Sequence, residues 1–138
     1  MCIDKVNPNV NRVITERLAK DKDLFFVDYS VIDSKYGIDI IKKKKFQGVK
    51  INDVILIPPI YEEIEIASNN IAIVKLLDAY TIFSLRKGVQ LSEFEYCSVH
   101  ISNNMIVLHK VNGRSAIYNM NTSNFLHQTA NYDEFNLK

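Results

Sequence analysis

The chain has 138 residues and a formal net charge of +1, enough length for one compact domain and too little for two well-packed ones. Hydrophobic residues at 47% exclude general disorder, and no apolar run approaches the roughly 20 residues that a membrane helix needs, so a soluble protein is expected. The small total hides an asymmetry: residues 1 to 50 carry eleven Lys/Arg against seven Asp/Glu (+4), residues 51 to 134 carry five against nine (−4), and Lys138 adds one. Such a bipolar distribution can steer a charged partner.

The first eight residues, Met1 to Pro8, lack the basic start and apolar stretch of a secretory leader, so cytoplasmic residence is the expectation. The two cysteines, Cys2 and Cys97, have no CxxC or histidine-spaced partner. Neither a disulfide nor a zinc framework is expected, and Cys97 reads as a small buried residue. Asn7-Pro8 is a helix start, with Asn as N-cap and Pro at the first helical position. Val10, Val13, Ile14 and Leu18 then follow an amphipathic stripe, which predicts one helix over about 8 to 20. Asp21-Lys22-Asp23 is its polar exit.

From Leu24 onward the sequence changes to short β-branched and aromatic runs between polar corners, the pattern of consecutive strands. The predicted strands are about 24 to 32, 36 to 46, 53 to 57, 61 to 66, 71 to 76, 79 to 85, 95 to 101, 104 to 110, 114 to 119 and 125 to 129. Ser68-Asn69-Asn70, Ser102-Asn103-Asn104 and Asn112-Gly113 tolerate left-handed backbone and close hairpins between them. Pro58-Pro59 cannot donate ladder hydrogen bonds, so it either breaks one strand from the next or lies on an edge.

Three stretches superpose: Ile60 to Ile66, Glu95 to Ile101 and Asn131 to Leu137, with Tyr61, Tyr96 and Tyr132 spaced 35 and 36 residues apart. A second landmark keeps step, since Tyr80-Thr81-Ile82-Phe83 precedes Tyr96 much as Ser115-Ala116-Ile117-Tyr118 precedes Tyr132. A fixed period marks a repeat protein, in which each unit covers the apolar face of its neighbour. Alternation in the first stretch puts Ile60, Ile64 and Ile66 on the buried face, with Glu63 and Glu65 opposite. The three tyrosines are expected to pack the core or the seams between units, their hydroxyls bonded to backbone.

Val54-Ile55-Leu56-Ile57-Pro58-Pro59-Ile60-Tyr61-Glu62-Glu63-Ile64 resembles the Pro-Pro-x-Tyr segment of WG repeats, the bacterial β-rich modules also called KWG repeats. Lys35-Tyr36-Gly37-Ile38-Asp39 is similar to their opening segment. The resemblance covers residues 35 to 137. The chain departs from the family pattern in having no tryptophan, so the Trp-Gly doublet is missing and Tyr36-Gly37 alone keeps the glycine. The first unit is also longer by about nine residues, around Lys42 to Gly48. The resemblance implies an array of β-hairpins used for binding and supplies no catalytic residues.

Few side chains suggest chemistry. His100 and His109 are expected to be neighbours across a hairpin, but two imidazoles without a third donor make a poor metal site, and His127 stands apart. Cys97 with either histidine lacks an oxyanion-forming loop. The four glycines, at 37, 48, 88 and 113, form no phosphate-cradling motif. Adjacent acids such as Glu62-Glu63 point to opposite faces of a strand and do not share a proton. Two charge features remain. Lys42-Lys43-Lys44-Lys45 is either a phosphate-binding cluster or a solvated edge that deters aggregation. The acids recur in phase as Glu62, Glu63 and Glu65, then Glu93 and Glu95, then Asp133 and Glu134, so stacked units would align them in a negative ridge.

These readings predict a mainly β, single-domain protein of antiparallel hairpin repeats, an open twisted sheet or partial propeller, with one N-terminal helix. The expected function is a non-enzymatic protein-binding module without metal or cofactor. Its most specific form is a bacterial immunity protein that neutralises a cognate toxin, such as a basic nuclease, through the acidic ridge. The alternatives are a nucleic-acid-binding or structural β module using the lysine hairpin and an enzyme with an unrecognised β-cleft; no membrane association is expected.

Overall fold

The computed structural model describes residues 8–20 and 29–126. Helix α1, Val10–Lys20, is preceded by a turn at Pro8-Asn9, and the Asn9 carbonyl accepts the first helical hydrogen bond, from the Val13 N–H at 2.8 Å. The helix thus starts two residues later than expected, with Asn9 rather than Asn7 at the cap position; Asn7 lies outside the described residues. Val10 is buried and Val13 and Ile14 pack beside it, but Leu18 is 42% exposed, so the apolar stripe meets the sheet only along its first two turns.

Twelve strands follow among the described residues, all paired antiparallel, as three four-stranded meanders. The first is β1 (Ser30–Lys35), β2 (Ile38–Lys43), β3 (Phe46–Ile51) and β4 (Val54–Tyr61). The second is β5 (Glu63–Ile66), β6 (Ile71–Leu76), β7 (Ala79–Ser84) and the short β8 (Val89–Gln90). The third is β9 (Tyr96–Ser102), β10 (Met105–Lys110), β11 (Ser115–Asn119) and the short β12 (Asn124–Phe125). The second and third are joined into one open sheet by a single residue pair, Tyr80↔Tyr96, where β9 takes the stretch of β7 that β8 leaves free. The mainly β, antiparallel, unclosed architecture with one helix agrees with the reading from sequence.

The meanders lie face on face. One core joins α1 and the first meander (Val10, Ile38, Ile40, Val49, Ile57) to one face of the second (Ile64, Ile66, Ala72, Val74). A separate core joins the opposite face of the second (Ile71, Ile73, Ile82) to the third (Tyr96, Ile106, Leu108, Ala116, Tyr118). Ile71-Ala72-Ile73-Val74 is therefore buried at every position, a continuous apolar run where an alternating strand would show polar residues. Ladder rows repeat with the period of the sequence. The row Ile64–Val74–Thr81 corresponds to Val99–Leu108–Ala116, and Ile66–Ala72–Phe83 to Ile101–Ile106–Tyr118.

Two strand predictions are corrected. The run from 36 to 46 is not one strand: Tyr36 and Gly37 (φ 58° and 75°) close the β1–β2 hairpin, and Lys44 (φ 57°) opens the turn between β2 and β3. Positive φ at both central residues is the turn that matches strand twist, but a lysine there carries no local turn signal. The strand from 53 to 57 does not stop at the prolines. β4 continues through Pro58-Pro59 as an edge strand, with register shifts between Val49↔Ile57 and Gln47↔Tyr61 that absorb the missing donors. Gly48 makes this possible, because a Cβ there would lie 2.4 Å from the Ile57 carbonyl oxygen and 2.7 Å from the Pro59 nitrogen. The part of the predicted strand 24 to 32 before Tyr29, and residues 127 to 129 of the last one, lie outside the described residues.

Candidate functional site

The acidic positions converge through the aromatic packing beneath them. Tyr61, at the end of β4, is buried, stacks on Phe94 (centroids 6.0 Å apart, planes at 17°) and meets Phe83 edge-on at 6.1 Å. Since Glu62 and Glu63 follow one ring and Glu93 and Glu95 flank the other, the stack sets the two acidic segments side by side. Burial pushes the Tyr61 phenol up to about 12, so it is neutral at any physiological pH. Tyr96 is likewise buried, with its phenol raised by desolvation first and then by the neighbouring Glu95 charge.

The carboxylates differ in what they do. Glu63 and Glu65 alternate with buried Ile64 and Ile66 along β5 and are exposed. Glu62 is exposed but not idle: its carboxylate accepts a hydrogen bond from the Leu77 N–H at 3.1 Å. Leu77 and Asp78 form the β6–β7 turn at φ 51° and 63°, a conformation costly for a branched residue, and Glu62 helps hold it. Glu93 is exposed, whereas Glu95 is partly covered and ion-paired with Lys110 at 2.9 Å. Lys75 stands opposite Glu63 in the ladder, with its Nζ 5.8 Å from the Tyr80 ring centroid. The feature is therefore an acidic corner of Glu62, Glu63, Glu65 and Glu93 with two lysines set into it, not an unbroken ridge. Asp133 and Glu134 lie outside the described residues. Lys75 and Lys110 were not legible as part of the site, because their contacts are made across strands.

The lysine run forms the tip of the β2–β3 hairpin, where Lys42, Lys44 and Lys45 are exposed. Its base is Phe46, whose ring carries Arg17 at 4.0 Å and Lys45 at 5.6 Å. The Arg17 guanidinium also donates to the Ile60 carbonyl, tying the helix to the edge strand.

His100 and His109 do meet across the β9–β10 hairpin, their rings stacked with centroids 5.6 Å apart. His109 Nδ1 is 2.8 Å from the Ser115 hydroxyl, and burial, then the adjacent His100, holds its pKa below the usual imidazole value. No group of three or more His, Cys, Asp or Glu is arranged to hold a metal among the described residues. Cys97 corrects an expectation. It is half-buried and disulfide-bonded, its Sγ 3.3 Å from the His109 carbonyl oxygen; the other cysteine of the sequence, Cys2, lies outside the described residues. Widely separated cysteines without a spacing motif give no local sign of such a bond. An open hollow of about 470 Å³ between α1 and the β8 region is lined by Asn11, Gln90, Leu91, Ser92 and Glu93, polar but with a single carboxylate. Among the described residues no helix is long and apolar enough to cross a membrane.

No protein-family profile and no curated protein matches the chain. Among solved structures it is similar to the computationally designed protein Ika8, at 14% identity and a TM-score of 0.41 over 74% of this chain. It is similar too to HIRA(644–1017), at 9% identity and a TM-score of 0.41 over 72% of this chain. The chain spans 36% and 38% of the lengths of those two proteins, and likeness of this degree carries no argument about function.

Proposed function

We propose that the chain is a non-enzymatic protein-binding module of degenerate WG-repeat type, and most specifically an immunity protein that neutralises a cognate bacterial toxin by direct contact in the cytoplasm. The observation that carries this reading is the acidic corner, where the Tyr61–Phe94 stack sets Glu62 and Glu63 beside Glu93 and β5 presents Glu63 and Glu65 outward. A rigid framework that displays exposed carboxylates suits a basic partner, for which charge complementarity speeds encounter and rejects competitors. Glu65 and Glu93 are the cleanest contributors, because Glu62 and Glu95 are also used within the fold.

The test is affinity capture with the wild-type chain and with a Glu63→Lys, Glu65→Lys, Glu93→Lys variant, followed by kinetics on the purified partner. The proposal predicts a basic protein that the wild type retains and the variant loses, with the association rate falling most; equal retention by both refutes it. Cytoplasmic residence has its own test in the redox state of Cys97, since disulfides are rare in that compartment. Alkylation in intact cells followed by mass spectrometry should find a free thiol, and quantitative protection in cells would move the protein to an oxidising compartment.

A second reading rests on the exposed lysines at the β2–β3 tip, a cluster fit to meet phosphates. It predicts oligonucleotide binding that weakens steeply with salt and is lost when Lys42, Lys44 and Lys45 are neutralised, with the glutamate variant unaffected.

A further inference from the structure

The stacking of unit on unit leaves one sheet face over. The middle meander is covered on both faces, by the first meander and the helix on one side and by the third meander on the other. The third uses only one face in this way. On its outer face stand Met105, Val107 and Ile117, the ladder counterparts of Ile71, Ile73 and Ile82, which are buried in the middle unit. All three are half-buried here, and with the exposed Leu126 they floor an open hollow of about 370 Å³ rimmed by Asn103, Asn104 and Asn121.

This face is also free of formal charge. The outward positions of β9, β10 and β11 (98, 100, 102; 105, 107, 109; 115, 117, 119) hold only Ser, His, Met, Val, Ile and Asn. The two histidines are the stacked pair, which mutual repulsion and burial favour in the neutral form. We propose that the outer face of the third meander is a self-association surface, on which a second copy of the chain docks the same face in a two-fold contact.

A two-fold contact sets a patch against itself, so a charged patch opposes its own partner and a neutral one does not. The lysine tip of β2–β3 and the acidic corner fail this requirement. The outer face meets it and adds an apolar floor within an uncharged amide rim, the composition of an interface centre. Four strands about 4.8 Å apart and some five residues deep present roughly 300 Å² per copy. That is well below the approximately 800 Å² per partner of a stable complex, so the dimer is transient, with a dissociation constant on the order of 10 to 100 μM by the affinities usual for small interfaces.

The experiment is sedimentation velocity of the full chain at pH 7.5 across a concentration series spanning that range. The wild type should pass from monomer to dimer. Val107→Glu and Ile117→Glu, checked for native melting and circular dichroism, should each remain monomeric, while Val31→Glu on the exposed β1 strand should dimerise normally. Mixing Val107→Glu with Val107→Lys should restore a heterodimer, an outcome that a folding defect cannot produce. A wild type monomeric throughout the series, or dimerisation unchanged in both glutamate variants, overturns the proposal.

Discussion

Replacing Gly48 by alanine tests the arrangement of the first meander most sharply. The added methyl would lie 2.4 Å from the Ile57 carbonyl oxygen, about 0.6 Å inside the 3.0 Å limit that real Cβ contacts respect, with the Pro59 nitrogen at 2.7 Å and the Pro58 carbonyl carbon at 2.8 Å. All three are backbone atoms, so no side-chain rotation relieves the clash and β4 must move away from β3. Overpacking of this kind costs about 1 to 3 kcal/mol. Displacing the ladder around Val49↔Ile57 and Gln47↔Tyr61 sacrifices one or two backbone hydrogen bonds at about 1 kcal/mol each. The expected loss is roughly 3 to 4 kcal/mol, a large fraction of the 5 to 15 kcal/mol of a typical domain. It should appear as a drop of about 8 to 16 °C in Tm, read by thermal melting alongside a urea midpoint. Gly113→Ala is the contrast: nothing lies within 4 Å of its Cβ, and only its φ of 86° opposes the change, so about 1 kcal/mol is expected. A Gly48→Ala protein that melts with the wild type would refute the close approach of β3 to the proline segment.

Tyr96→Ala should destabilise by about 3 to 5 kcal/mol, as aromatic truncation in a core does, because the ring is buried where the second and third meanders join; Tyr96→Phe should cost only about 0.5 to 1.5 kcal/mol for the hydroxyl's hydrogen bond, and equal urea midpoints for all three proteins would contradict the seam role. Glu62→Ala should lower stability measurably, through loss of the bond to the Leu77 N–H, while Glu65→Ala, exposed on β5, should leave the melt unchanged; the reverse order would show that Glu62 does not hold the turn. His109 is favoured in its neutral form by burial and by His100, so the unfolded chain takes up its proton first as pH falls. Stability should therefore decline as pH drops through the model imidazole value of 6.5 and level off below the folded-state value, with a smaller decline in His109→Gln; identical pH profiles for the two proteins would remove His109 as the cause.

The sequence by itself determined the class of the fold, the single helix, most strand positions and the 35-residue step from Tyr61 to Tyr96, because these rest on local rules. Alternation sets which side of a strand is apolar, Asn and Gly mark turns, and a repeated unit repeats its pattern. It also placed Glu63 and Glu65 outward and His100 beside His109, both consequences of strand parity and hairpin closure. Tertiary structure alone decided the rest. The β2–β3 turn at Lys44 has no local signal, since its left-handed backbone is imposed by the pairing of the flanking strands. The passage of β4 through Pro58-Pro59 depends on Gly48, ten residues upstream, coming into contact with it. The acidic corner exists because Tyr61 stacks on Phe94, and it is broken by Lys75 and Lys110 because strand partners are distant in sequence. The disulfide at Cys97 is of the same kind. Each of these features joins residues that no short window contains, and their energy is gained only when separate meanders meet.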